Sequence, residues 1–147
     1  MKIRVLLVDD EEQFVQTLAE RLEMRDYDVT TSFSGEDALE KVKGYNFDVI
    51  VLDVLMPGVD GVETLGEIKK IKPLTEVIML TGHATVETAI EGMKLGAYDY
   101  LMKPCETEEL VTKINKAHER KAEQEERIRE AKVRQFETSP LSVLQDK

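Results

Sequence analysis

Apolar residues in this chain fall alternately into short unbroken runs and into positions three or four apart. Ile3–Val8 is the first run, and Asp28–Phe33, Phe47–Leu52, Glu76–Leu80 and Tyr98–Met102 follow it. Runs of this length, rich in β-branched residues and closed by a polar stop, predict strands buried on both faces, as in a parallel sheet. Between them the period changes. Phe14, Leu18 and Leu22 predict a helix over about 12–25, and Ala38, Leu39 and Val42 a short one opened by Ser34 and closed by Gly44. Val62, Leu65, Ile68 and Ile71 mark a third helix stopped by Pro73. Val86, Ala89, Ile90, Met93 and Leu95 mark a fourth, ended by Gly96. From about Glu106 the pattern is helical, with no Gly or Pro before Pro140. Strand and helix thus alternate five times, the order of an α/β fold with right-handed crossovers.

The residues that close the runs change the picture from fold to chemistry. The first run stops at Asp9-Asp10, the third at Asp53, the fourth at Thr81 and the fifth at Lys103. In an open parallel sheet, function gathers beyond the carboxyl ends of the strands. Three acids in one crevice repel each other unless a cation joins them, so Asp-Asp, Asp, Thr and Lys describe a divalent-metal and phosphoryl site. Singly, each has a simpler reading. Asp9-Asp10 suits the start of a helix, Asp53 a turn, Thr81 a helix cap, Lys103 a solvated surface and Pro104 loop punctuation. Those simpler readings are mutually independent, whereas all the chemistry-bearing residues stand at strand ends of one sheet.

Composition narrows the class. With 147 residues, 41% of them hydrophobic, the chain holds one ordinary domain and a remainder. No segment reaches the ~20 apolar residues that span a bilayer, and the opening M-K-I-R-V reads as strand rather than signal peptide. The lone Cys105 excludes an internal disulfide and suits a reducing cytoplasm. Residues 1–105 carry 11 basic and 20 acidic side chains, which would repel a nucleic-acid backbone. There is no Trp and no basic stripe, so direct nucleic-acid binding is not expected.

The last helix exceeds what one domain needs. Leu110, Val111, Ile114 and Ala117 suffice to pack it on the sheet; beyond them the sequence is charged all round. Leu110, Ile114, Ala117, Lys121, Gln124, Ile128 and Ala131 follow a 4-3 spacing, with Lys121 and Gln124 polar. A solvated helix held by i,i+4 ion pairs and a coiled coil both fit. The expected organisation is a domain over 1–120, a helical extension over 121–136 and a frayed tail over 137–147.

The segments V-D-D-E-E, L-D-V-L-M-P-G-V-D-G, M-L-T-G-H and G-A-Y-D-Y-L-M-K-P, in order, resemble the receiver domain of bacterial two-component response regulators. The likeness covers residues 1 to about 120. T-G-H-A-T-V-E-T-A-I-E-G-M-K-L-G-A-Y-D-Y is most similar to receivers of the nitrogen-regulation, sigma-54 activator type. The resemblance implies a doubly wound five-stranded parallel sheet of flavodoxin-like order 2-1-3-4-5, here with an extended C-terminal helix. In that type a long helix leads into an ATPase and a DNA-binding domain; the sequence stops after the helix, so neither activity is carried over.

Residue by residue, the resemblance makes Asp53 the phosphoacceptor for a sensor histidine kinase or histidine phosphotransfer protein. Asp10, Asp53 and the Leu55 carbonyl would ligate Mg²⁺, with Asp9 acting through a water; hard oxygen donors suit that ion. Three such acids without metal should push at least one pKa upward. Lys103 would pair with a phosphoryl oxygen and Thr81 would donate its hydroxyl to another, with Gly82 leaving room for a backbone amide. A cis Lys103–Pro104 peptide is also implied. Thr81 and Tyr100 would form the switch that remodels the face of the fourth helix, fifth strand and last helix. Through that face and the exit helix the protein would meet a downstream target or a second copy. Leu55 and His83 stand near where an attacking water would arrive; apolar Leu55 cannot orient it, which predicts slow loss of the phosphoryl group. His83 reads either as a residue that assists or blocks the water or, more simply, as a surface histidine.

The protein would then be a signalling switch, not an enzyme beyond its own phosphorylation and dephosphorylation. An aspartyl-phosphate hydrolase shares the α/β core but needs a second Asp where Leu55 stands. A receiver fold used for binding without phosphorylation would lack one of the acids, Thr81 or Lys103. A third alternative makes the chain the front of a longer transcription regulator.

Overall fold

The computed structural model describes residues 1–54, 61–82 and 86–138. Five strands form one parallel sheet: β1 (Arg4–Val8), β2 (Asp28–Ser32), β3 (Val49–Leu52), β4 (Glu76–Thr81) and β5 (Asp99–Met102). Helices α1 (Glu12–Glu23), α2 (Gly35–Gly44), α3 (Gly61–Ile71), α4 (Val86–Lys94) and α5 (Thr107–Thr138) alternate with them. Strand order is β2-β1-β3-β4-β5, as the resemblance implies.

Strand alternation divides the core. Val5 and Leu7 of β1 pack with Val15, Leu18 and Leu22 of α1 and with Leu110, Ile114 and Ala117 of α5. Leu6 and Val8, pointing the other way, pack with Ala38 and Val42 of α2 and Leu65 and Ile68 of α3. Helices therefore cover both faces, which explains why the strands carry unbroken apolar runs.

The ends of elements obey local chemistry. Ser34 accepts a hydrogen bond from the Asp37 amide at 3.1 Å and caps α2. The Asp37 carboxylate does not close a capping box; it accepts from the Ser32 hydroxyl at 2.8 Å and pairs with Lys41 at 2.9 Å. Gly44 is the last residue of α2, not the residue beyond it, and Tyr45 leaves in an extended conformation. Gly96 takes the left-handed conformation, φ 105°, while Ala97 donates back to the Gly92 carbonyl, the expected stop for α4.

The last helix leaves the domain in one piece. Leu110, Ile114 and Ala117 are fully buried, and the seam remains half-buried at Lys121 and Gln124. From Glu125 to Phe136 every side chain is exposed. The helix reaches Thr138, two residues past the expected end of the extension; the remainder of the tail lies outside the described residues.

Candidate functional site

Sheet register creates the site. Val8 and Leu52 are partners across β1 and β3, so the residues that follow them, Asp9 and Asp53, emerge side by side. Asp53 donates its amide to the Val8 carbonyl at 2.9 Å, which ties its backbone to the end of β1. Thr81 pairs with Met102 across β4 and β5, and the Lys103 amide donates to the Thr81 carbonyl at 2.9 Å. Four separate segments thus deliver Asp9, Asp10, Asp53, Thr81 and Lys103 to one end of the sheet. Thr81 is the last residue of β4 rather than the first beyond it.

Carboxylate oxygens of Asp9, Asp10 and Asp53 lie within 4.8 Å of one another. Asp9 and Asp53 are buried and Asp10 is exposed. Mg²⁺ holds oxygen ligands at about 2.1 Å, so donors on opposite sides of one ion stand about 4 Å apart. The donor set therefore fits a hard divalent cation in both chemistry and spread. The Lys103 ammonium lies 2.5 Å from Asp9 Oδ2, 3.2 Å from Glu11 Oε1 and 3.7 Å from Asp53 Oδ2. Its Nζ also sits 4.3 Å from the centre of the Phe14 ring. The Lys103–Pro104 peptide is cis.

Charge at this end is predominantly negative. Burial raises the Asp9 carboxyl above its ordinary value and the Asp53 charge adds to the rise; the Lys103 hydrogen bond opposes it without cancelling it. Burial works against the Lys103 ammonium, but Asp9, Glu11 and Asp53 outweigh that and raise its pKa. Both shifts express one condition, Asp9, Glu11 and Asp53 all facing Lys103. An upward shift among the acids is what the sequence predicts.

Two residues at the site were not singled out in the sequence. Glu11 follows the acid pair directly and offers Lys103 a third carboxylate. Phe14 fits the apolar spacing of α1, so nothing in its pattern distinguishes it from a core position. Leu55, His83 and residues 56–60 of the M-P-G-V-D-G loop lie outside the described residues. Tyr100 is 41% exposed and borders the same crevice as Thr81, with Val54, Met79, Thr88 and Ala89.

A doubly wound sheet with an acid cluster, a lysine and a threonine at its carboxyl end defines a phosphoryl-accepting switch module. The response regulator receiver domain profile matches residues 5–115, and the chain belongs to that family. It is 40% identical over 116 residues to the transcriptional regulatory protein ZraR of Salmonella typhimurium, covering 79% of this chain and 26% of that protein. It spans about a quarter of the length of such relatives. Among solved structures, it is similar to a CheY-like receiver domain protein from Methanospirillum hungatei. Identity there is 27% and TM-score 0.82, covering 84% of this chain and 99% of that one. A response regulator from Burkholderia pseudomallei, solved with a phosphorylated aspartic acid and a calcium ion, is 31% identical with TM-score 0.74. That match covers 84% of this chain and 73% of that one. Receivers of this family bind Mg²⁺ at an acidic pocket, accept phosphoryl groups from histidine kinases and act as switches rather than enzymes. No helix among the described residues is long and apolar enough to cross a membrane.

Proposed function

We propose that Asp53 is the acceptor through which this receiver is switched. The observation that carries the assignment is its buried carboxylate, clustered with Asp9 and Asp10 and 3.7 Å from the Lys103 ammonium. An Asp53 oxygen attacks the phosphorus of a kinase phosphohistidine. A phosphorus–oxygen bond forms as the phosphorus–nitrogen bond breaks, and the electron pair leaves with the imidazole, which takes up a proton. Asp9, Asp10 and Asp53, with the Leu55 carbonyl, would hold Mg²⁺. Bound there, the ion offsets the negative charge that separates acid and phosphoryl group. Lys103 supplies a point charge to one phosphoryl oxygen and Thr81 a hydroxyl to another. The phosphorylated aspartic acid of the Burkholderia relative, recorded with a hard cation, supports this reading.

Output then runs through Thr81 and Tyr100 to the face of α4, β5 and α5, where Val86, Ile90 and Met93 are exposed. A downstream protein or a second copy would engage that face, continuing along α5. The partner kinase and this module would meet in the cytoplasm. A second reading makes the chain the receiver part of a longer transcription regulator. The quarter-length match to ZraR and the uninterrupted helix to Thr138 favour it, and the reading frame beyond Lys147 tests it.

Incubation with acetyl phosphate or phosphoramidate and Mg²⁺, followed by intact mass, tests the acceptor. Wild type should gain one phosphoryl group and Asp53→Asn none. Labelling of Asp53→Asn at the wild-type rate would remove the assignment.

A further inference from the structure

We infer that Phe14 is a positioning residue for phosphoryl transfer, acting through Lys103 by the face of its ring. The inference rests on the Asp53 reading above and adds to it. Lysine carries a compact charge on a flexible stem, so a fixed location for its ammonium must be imposed from outside. Carboxylates impose part of it, but the nearest is Asp9 at 2.5 Å, not Asp53 at 3.7 Å. Acids alone would draw the ammonium toward Asp9 and Glu11. The Phe14 ring, 4.3 Å from Nζ, supplies an attraction that is independent of those acids. The Lys103 side chain is only 14% exposed, so water competes weakly for the ammonium.

Local structure holds the ring in place. The Glu11 amide donates to Asp9 Oδ1 at 3.0 Å, and the Glu11 carbonyl accepts from Val15 at 3.1 Å. Glu11 is thereby the N-cap of α1, which sets Phe14 in the first turn, four residues after Asp10. The ring packs on the core cluster that contains Val15 and Leu18, and it walls a narrow crevice with Asp9 and Asp53. An aromatic ring adds no competing hydrogen bond and no charge to neutralise. It leaves the ammonium free to donate to an arriving phosphoryl oxygen.

Transfer from acetyl phosphate forms a bond between an Asp53 oxygen and phosphorus. The bond from phosphorus to the acetyl oxygen breaks, and the electron pair departs with acetate. Charge on the phosphoryl oxygens is what Lys103 must meet, so a displaced ammonium slows the step without preventing it.

The test replaces Phe14 by a series of singly, doubly and triply fluorinated phenylalanines, which keep its shape while draining electron density from the ring face. Labelling rates with acetyl phosphate and Mg²⁺ are read by intact mass, and Lys103 side-chain chemical shifts are read in the unphosphorylated protein. The logarithm of the rate should fall steadily with fluorine number. Phe14→Leu should slow labelling roughly fivefold, Phe14→Tyr should restore it, and the ring-current shift of the Lys103 methylenes should vanish in Phe14→Leu. A flat fluorine series with labelled wild type would overturn the inference and leave the Asp53 reading intact. An unlabelled wild type, or a labelled Asp53→Asn, would overturn both.

Discussion

Lys121 of α5 reaches the buried Asp48 carboxylate at 3.4 Å, at the end of β3 opposite to Asp53. Arg4 completes the contact, its amide donating to Asp48 at 2.8 Å and its guanidinium lying 3.4 Å away. The preceding residue, Arg120, lies 3.1 Å from Glu76 at the start of β4, and Glu76 also faces Lys69 at 3.6 Å. Two consecutive cations thus fasten the exit helix to the floor of the sheet, while its apolar seam packs higher up.

Acid should loosen this attachment. Burial alone would raise the Asp48 carboxyl, but the Arg4 amide and guanidinium, with Lys121, outweigh it and hold the group below its ordinary value. A depressed carboxyl contributes stability that is complete above the unfolded value, near pH ~3.9, and is lost as pH falls through the folded one. Asp48→Asn should therefore cost about 2 kcal/mol at pH 7. The gap to wild type should hold down to about pH 4 and close below it. Urea unfolding of both proteins at neutral and acidic pH measures the gap, and a gap that widens in acid would contradict the attribution.

Gly61 opens α3 where the chain returns beneath Asp53. A Cβ there would overlap Val54 Cα and the Asp53 carbonyl oxygen, both backbone atoms. Gly61→Ala must push that backbone, so it should cost about 2–3 kcal/mol and also slow labelling of Asp53. Gly92→Ala is the control. Its new methyl would overlap the Met79 thioether and touch Leu65, side-chain atoms in both cases. The flexible thioether can turn aside where backbone cannot, so about 1 kcal/mol is expected. Urea midpoints and labelling rates for the two variants should separate in that order.

The acidic crevice predicts a stabilisation by Mg²⁺. Cation binding to the folded state alone, at ten times its dissociation constant, contributes about 1.4 kcal/mol. For a domain of this size that is roughly a 4 °C rise in Tm. Calorimetry with Mg²⁺ against chelator should show the rise in wild type and lose most of it in Asp10→Asn. Asp10 is the variant of choice because it is exposed and has no part in holding Lys103.

How much of this was legible follows from which physics the residues report. Unbroken apolar runs announce strands covered on both faces, and a polar residue closing each run marks where chemistry emerges. Asp9, Asp10, Asp53 and Lys103 were readable for that reason. The strand bounds shifted by a residue or two, as at Phe47, which is buried yet precedes β3, because burial and pairing are different properties. The floor of the sheet was not legible. Asp48 and Glu76 are buried acids within strand-like runs, and their partners Arg4, Lys69, Arg120 and Lys121 come from three other elements. Lys121 shows the difficulty well: a polar residue in a heptad-like seam weakened the pattern, yet with Arg120 it fastens the helix to the sheet. Phe14 was hidden for the converse reason, since its spacing satisfies the core pattern completely.

Thr81 and Tyr100 differ sharply in exposure although they border one crevice: Thr81 is 1% exposed and Tyr100 41%. The threonine sits at the last position of β4; on the proposed reading a phosphoryl group on Asp53 would draw its hydroxyl and so make room toward α4. Tyr100 is the large side chain placed to take that space, and outside the crevice it lines a surface groove with Val86, Ile90 and Met93. The protein contains no Trp, so Tyr100→Trp gives a single indole reporter at the proposed switch position. Its emission should shift to the blue on adding beryllofluoride and Mg²⁺, as the ring leaves water. The shift should disappear when Thr81→Ala is added, because the pull on the strand end has gone. An indole that stays equally exposed in both states would separate Tyr100 from the phosphorylation signal and leave the α4 surface without a link to Asp53.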